Sequence, residues 1–160
     1  MDLQKLEEKP EMTVEMGKPE PEHILYRLPG YLLRRAANRW MTELSDRLAP
    51  LGLRISHASA MLLIGERRDM TSTEIGKYLD IKRANMAPLL GRLEALGFIE
   101  RSPIDGKSQA VSLTVAGQKC LGDVQAITSK LERDLVAAIP VSHRDHLVPT
   151  LRALLDLRPE

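Results

Sequence analysis

Cysteine is nearly absent from this chain of 160 residues: Cys120 stands alone, which excludes an intrachain disulfide and fits a reducing compartment. Aromatic residues make up only 3%, so the core must come from the Leu, Ala, Val, Ile and Met that dominate a 43% hydrophobic composition. That favours aliphatic packing between helices over an aromatic-rich sandwich. Long apolar runs are missing too. The best, AMLLIG at Ala60 to Gly65, is far too short to span a bilayer. The first residues are acidic and carry no apolar stretch, so they do not resemble a signal peptide. The expectation is a cytoplasmic protein with no membrane partner. Also lacking are a Gly-rich phosphate loop, a nucleophile motif and any pairing of carboxylates suited to acid–base work, so an enzyme is not expected, and no cofactor is implied.

Nor is there a strong net charge. The total is +1, but it is segregated. Met1 to Glu22 holds three Lys against seven acids, a balance of −4, which leaves about +5 on the rest. Residues 1–21 include three prolines and no apolar period, and are expected to form a disordered acidic tail.

From His23 to Leu48 apolar residues recur at helical spacing, with a bend or late start at Leu28–Gly30 and an end at Pro50 and Gly52. A second helix follows, for which Ser56 is the candidate N-cap. Thr71 or Ser72 then caps a short helix running to about Leu79. A turn at Asp80–Ile81 leads to another helix, whose inner face is Met86, Leu89, Leu90 and Leu93 and whose C-terminus is closed by Gly97. Two short helices joined by a tight turn are a helix-turn-helix. Next, ERSPIDGKSQAVSLT alternates on both sides of Asp105–Gly106, which reads as a hairpin. An isolated hairpin is marginal, so this one must lean on the helices as a wing. Thr114 caps a long helix to about Ile139. After Pro140, Ser142 is expected to cap a last helix to about Leu157, kinked or split by Pro149.

On these residues the chain resembles the MarR family of winged helix-turn-helix regulators over about Ile24 to Leu157. Family wings often read Asp-x-x-Asp-Arg-Arg-x-x-x-Val-x-Leu-Thr. Here SPIDGKSQAVSLT keeps Asp105, Val111, Leu113 and Thr114, and GRLEALGFIERS is similar to the segment leaving the family's recognition helix. Ser102, Gly106 and Lys107 depart from the pattern, so the wing has one cation where relatives have two. The resemblance implies a mostly α fold with a small β wing and a homodimer that binds double-stranded, near-palindromic DNA. Such a protein is usually a repressor that a small molecule releases. It divides the chain into a tail (1–21), an N-terminal dimerisation helix and connector (22–56), a DNA-binding domain (57–114) and C-terminal dimerisation helices (115–160).

The chemistry of DNA contact selects the candidate residues. Phosphates need cations or hydrogen-bond donors, and base edges need directional donors and acceptors. Lys82, Arg83 and Asn85 sit where a recognition helix begins, the part that reaches the major groove. Arg pairs bidentately with guanine and Asn with adenine, although solvated turn residues with Asn85 as a cap would look the same. Ser72 and Thr73 offer hydroxyl and backbone N–H donors at a helix start. Lys107 would reach the minor groove or its phosphates, with Asp105 ordering the turn. Arg92 and Arg101 suit phosphates, and equally suit ion pairs with Glu94 or Glu100.

For a small aromatic effector, a carboxylate or phenol, the candidates are Tyr31, Arg34, Arg35, Trp40 and His57. An Arg can pair a carboxylate bidentately. Interhelix salt bridges and an ordinary core histidine are the competing account. Cys120 reads as a packed thiol, and His143 with His146 as surface residues. A constitutive architectural DNA binder without a ligand pocket and a dimeric protein-interaction module remain the alternatives.

Overall fold

A computed structural model describes residues 24–67, 69–104 and 108–156. The acidic tail, Asp105, Gly106, Lys107 and the helix end expected at Leu157 lie outside the described residues. The described residues divide into two compact units, one up to Asn38 and one from Arg39 onwards.

In the first unit a 3-10 turn, Ile24–Arg27, precedes the helix α1, Pro29–Leu48. Proline at the first helical position explains the late start: its fixed φ suits a helix beginning, and its missing N–H falls where no intrahelical partner exists. Leu28 just before α1, and Leu32 and Leu33 on it, are exposed.

The second unit takes α1 from Arg39 onwards. It buries Leu44 and Leu48, and the chain turns at Gly52, whose φ of +68° suits a residue without a side chain. Helix α2, Ile55–Glu66, follows, then β1, Met70–Thr71, α3, Ser72–Tyr78, and α4, Arg83–Ala95. Strands β2, Ile99–Pro103, and β3, Gln109–Leu113, lead into α5, Val115–Ala137, and α6, Arg144–Leu155. Helix α2 is the centre: α3, α4, α5 and β3 all pack on it. Its Ala58, Ala60, Met61 and Ile64 are each no more than 4% exposed. Fully burying an aliphatic side chain contributes about 1.5–3 kcal/mol, so this helix is held by its surroundings rather than by helix propensity.

The helix-turn-helix forms as its sequence implies. Thr71 accepts a hydrogen bond from the Glu74 N–H, and the Glu74 carboxylate accepts one from the Thr71 N–H, a reciprocal capping box. Those bonds hold the Glu74 carboxyl below its ordinary value, the Thr71 backbone N–H first and its hydroxyl second. Met86, Leu89, Leu90 and Leu93 are all buried, and Gly97, at φ +72°, ends α4. The Phe98 N–H donates to the Leu93 carbonyl and the Gly97 N–H to that of Glu94, the Schellman arrangement.

The wing is a sheet of three strands in the order β1–β3–β2, with Ile99 opposite Leu113 and Arg101 opposite Val111. Its third strand went unread because two residues are too few to show an alternation, and Thr71 serves as both strand and cap. Val111 and Ile99 are buried, so the hairpin rests on the helical core.

Three local expectations are corrected. Ser56 is not the cap of α2. The helix starts at Ile55, and Arg54 is its N-cap, its N–H bonded to the imidazole Nδ1 of His57 three residues on. Ser142 is not the cap of α6 either: it lies in a 3-10 turn, Val141–His143, and the flanking residue is His143. Pro149 does not split α6, which runs through it as its sixth residue. The Arg144 guanidinium, bonded to the carbonyls of Ile139 and Ala137, ties the start of α6 to the end of α5. Pro88 likewise lies inside α4, in its second turn.

The close approach of α5 to the end of α4 gives a test. Gly117 is buried, and a Cβ there would collide with the Phe98 carbonyl, whereas Gly122 on the same helix faces open space. Gly117→Ala should lower the unfolding free energy by about 1–3 kcal/mol through overpacking. Gly122→Ala should raise it by up to about 1 kcal/mol through helix propensity. Urea midpoints of the two variants would show whether this contrast exists.

Candidate nucleic-acid interface

The outer side of the helix-turn-helix carries a groove of about 440 Å³. Ser72 and Thr73 enter it from the first turn of α3, and Lys82 and Arg83 from the turn and first residue of α4. Four of the predicted DNA-contacting residues are thus brought to one concavity. They converge because Asp80 adopts a left-handed φ of +51° and turns the chain within three residues. Gly76 permits the approach: a Cβ there would meet Met86 Cγ at 3.1 Å and the Ile81 carbonyl at 3.2 Å. Lys77, on the same wall of α3, adds a cation that sequence reading passed over. Its position four residues past Thr73 on a capped helix was the available signal.

Asn85 and Arg92 are on α4 but line a different cavity, of about 700 Å³, between that helix and the start of α2. Arg54 also lines it, another missed residue, in the extended stretch before α2 where nothing periodic marks it. Asn85 is not a cap: Lys82 holds that position, and the Asn85 N–H bonds its carbonyl at 2.8 Å. Arg101 is in an ion pair with Glu94, 3.2 Å away. Its Nε is buried with no partner among the described residues. Asp105 and Lys107 are outside the described residues.

The predicted effector residues fall in both units. In the first, Arg35 Nη1 donates to the hydroxyls of Tyr26, at 3.2 Å, and Tyr31, at 3.4 Å. The Arg34 guanidinium lies 5.2 Å from the Tyr31 ring centre. The hydrogen bond to Tyr31 raises the Arg35 pKa above its usual value. In the second unit, Trp40 packs against the core with its indole N–H buried and unpartnered among the described residues. His57 is buried and faces the α2–α4 cavity, which Trp40 does not line. Burial foremost, then the charges of Arg54 and Arg92, push the His57 imidazole below its ordinary pKa. The Cys120 thiol is buried, which pushes its pKa up, with a smaller push from Asp123. Among the described residues no cluster of three His, Cys, Asp or Glu could hold a metal ion, and no single helix is long and apolar enough to cross a membrane.

The comparisons decide what this scaffold is. A family model described as MarR family matches residues 51–108. The transcriptional repressor CouR, solved bound to a 23-mer DNA duplex, is 30% identical, with a TM-score of 0.75 over 82% of this chain and 94% of that one. The chain belongs to the MarR family. It is a DNA-binding transcriptional regulator of that family, and MarR-family proteins are regulators rather than enzymes. The HTH-type transcriptional repressor Rv2887 of Mycobacterium tuberculosis is 25% identical over 112 residues, 69% of this chain and 81% of that protein. Two ligand complexes share the fold. CouR from Rhodococcus jostii RHA1 bound to p-coumaroyl-CoA is 21% identical, with a TM-score of 0.73 over 85% of this chain and 98% of that one. Rv2887 in complex with salicylic acid is 22% identical, with a TM-score of 0.62 over 79% and 96%.

The suppressed His57 pKa has a measurable consequence. Above pH 6.5, the ordinary value, folded and unfolded chains both carry neutral imidazole there. As pH falls below it, the unfolded chain takes up a proton that the folded one refuses, and stability drops until the folded-state pKa is reached. In urea titrations between pH 7.5 and 5.5, wild type should lose more stability than His57→Gln. Equal slopes would show that His57 is not held neutral by the fold.

Proposed function

We propose that this MarR-family regulator is a homodimeric repressor that reads a near-palindromic operator through α4 and is released from it by a small aromatic ligand. The observation that carries the DNA reading is the convergence of Ser72, Thr73, Lys82 and Arg83 on one groove, with Asn85 just inside the same helix. Arg83 and Asn85 supply the donors that discriminate bases, and Ser72, Thr73 and Lys82 fit phosphates. Arg92 and Arg101 flank the reading helix, Arg101 braced by Glu94, and Lys107 with Asp105 would form the wing's contribution. CouR, 30% identical, is a repressor bound to duplex DNA, which favours repression over an architectural role.

Dimerisation is supported by apolar surface the described residues leave uncovered. Val136 at the end of α5, Val141 in the turn and Val148, Leu151, Leu154 and Leu155 on α6 are all exposed, as are Leu28 before α1 and Leu32 and Leu33 on it. On α6 the exposed Val148, Leu151 and Leu155 recur at spacings of three and four, one helix face, and an uncovered apolar face marks an interface. A two-fold dimer would present two reading helices to successive major grooves, matching a near-palindrome. In this reading residues 57–114 contact DNA and the terminal helices pair the subunits. The aromatic effector draws support from the salicylate and p-coumaroyl-CoA complexes of relatives, and from the Arg and Tyr side chains gathered on α1. Tyr31, Arg34, Arg35, Trp40 and His57 are its candidate contacts.

The deciding experiment titrates purified protein on the DNA upstream of its own gene, at two salt concentrations, with and without aromatic acids. Specific binding that weakens with salt and is relieved by one compound is expected. Binding that no compound relieves would favour the ligand-free alternative. Arg83→Ala should cost about 1–3 kcal/mol of specific binding and relax discrimination at one base position. Unchanged affinity and discrimination would remove Arg83 from the interface.

A further inference from the structure

The groove lined by Ser72, Thr73, Lys77, Lys82 and Arg83 also holds a residue of the wrong sign for phosphate. Asp80 lines it, the one carboxylate residue to do so among the described residues. Asp80 is exposed, and it forms no ion pair among the described residues although three cations share its concavity. Its carboxylate has no hydrogen-bond partner among them either; only its backbone N–H is engaged, with the Lys77 carbonyl. Glu74, the acid on the neighbouring helix, is different. Its carboxylate accepts from the Thr71 N–H and hydroxyl, both at 2.8 Å, and so caps α3.

The backbone gives no reason for a charge at Asp80. Its φ of +51° is left-handed, a region that glycine enters at no steric cost and that asparagine tolerates as well as aspartate. Either residue would make the same turn. A strained position on a groove that carries function is where a side chain with a task of its own is found, and here the task must use the carboxylate. Facing DNA, a carboxylate repels phosphodiesters and the acceptor edges of bases, guanine O6 and N7 and thymine O4. It accepts from an exocyclic amino group. Cytosine suits it best, because N4 is the one polar group cytosine presents in the major groove, whereas adenine sets its N7 acceptor beside its N6 donor.

We propose that Asp80 is a specificity-determining residue of the DNA interface: its carboxylate accepts from a cytosine N4 amino group in the operator half-site and repels phosphate and acceptor edges in any other register. The inference rests on the reading that this groove faces DNA. The cations around Asp80 hold the backbone, and Asp80 discriminates. Such a residue weakens binding to DNA at large and widens the ratio between operator and random sequence. That ratio, rather than affinity alone, decides occupancy among many competing sites.

The test titrates the full chain on its upstream operator DNA, on a random duplex of equal length, and on operator duplexes with each base pair changed in turn. Wild type is compared with Asp80→Asn and Asp80→Gly, which remove the charge and keep the left-handed turn. Asp80→Asn should bind the random duplex about three- to tenfold more tightly at low salt, through loss of one repulsive charge, and the gain should shrink as salt rises. Its discrimination at one C·G pair of the half-site should fall about fivefold or more. Asp80→Gly should show the same two changes. Unchanged affinity for the random duplex, or discrimination intact at every position, in either variant would overturn the proposal. So would equal tightening on operator and random DNA, which would make Asp80 a general brake, or relaxation confined to a pair other than C·G. Wild type that binds no duplex in a salt-dependent way would overturn the DNA reading itself, a result that needs no variant and is therefore distinct from the others.

Discussion

The helix-turn-helix, the wing and α5 hang from one junction, the point where α4 ends, the wing begins and α5 starts. The Thr114 hydroxyl donates to the Gly97 carbonyl at 2.6 Å and accepts the Gly117 N–H at 3.0 Å. The Thr114 N–H in turn donates to the Phe98 carbonyl at 3.0 Å. One threonine therefore caps α5, satisfies the end of α4 and closes the base of the hairpin. Gly117 lets the backbones meet, since any side chain there would strike the same Phe98 carbonyl. α4 and α5 are thus joined through one short side chain, its two hydrogen bonds and direct backbone contact.

The junction works because α2 supplies a floor for it. Burial on nearly every side of α2 lets α3, α4, α5 and the sheet share one core, and α4 is positioned by Met86, Leu89, Leu90 and Leu93 pressed into that core. Its outer surface is then free for polar work. The two sides of α4 differ: one flanks a groove with Ser72, Thr73, Lys82 and Arg83, the other a cavity with Arg54, His57 and Arg92. Pro88 adds a rigid apolar surface to the second side, at the cost of a helical hydrogen bond.

Much of this was legible in advance, for local reasons. Caps and turns are short-range chemistry, so Thr71, Gly97 and Thr114 were readable where they stand. The inner face of α4 follows from 3.6-residue periodicity alone. Failures came where the local signal was ambiguous. Ser56 is a good cap by type, but the helix starts one residue earlier, because His57 bonds the Arg54 N–H and Arg54 becomes the cap. Ser142 lost its place to a 3-10 turn held by Pro140 and braced by Arg144. Strand β1 exists only because β3 is there to pair with it.

By itself, then, the sequence determined the order of elements, the helix-turn-helix with its wing, the buried face of α4 and the residue types suited to DNA. These rest on periodicity, capping and composition, which act over a few residues. Tertiary structure alone decided which of those residues share a surface. It drew Ser72, Thr73, Lys82 and Arg83 together, paired Arg101 with Glu94, and turned His57 toward Arg54, Asn85 and Arg92 rather than toward Trp40. Helix packing sets these neighbours, and packing depends on how distant segments bury apolar area against one another, a property that no short window of sequence contains.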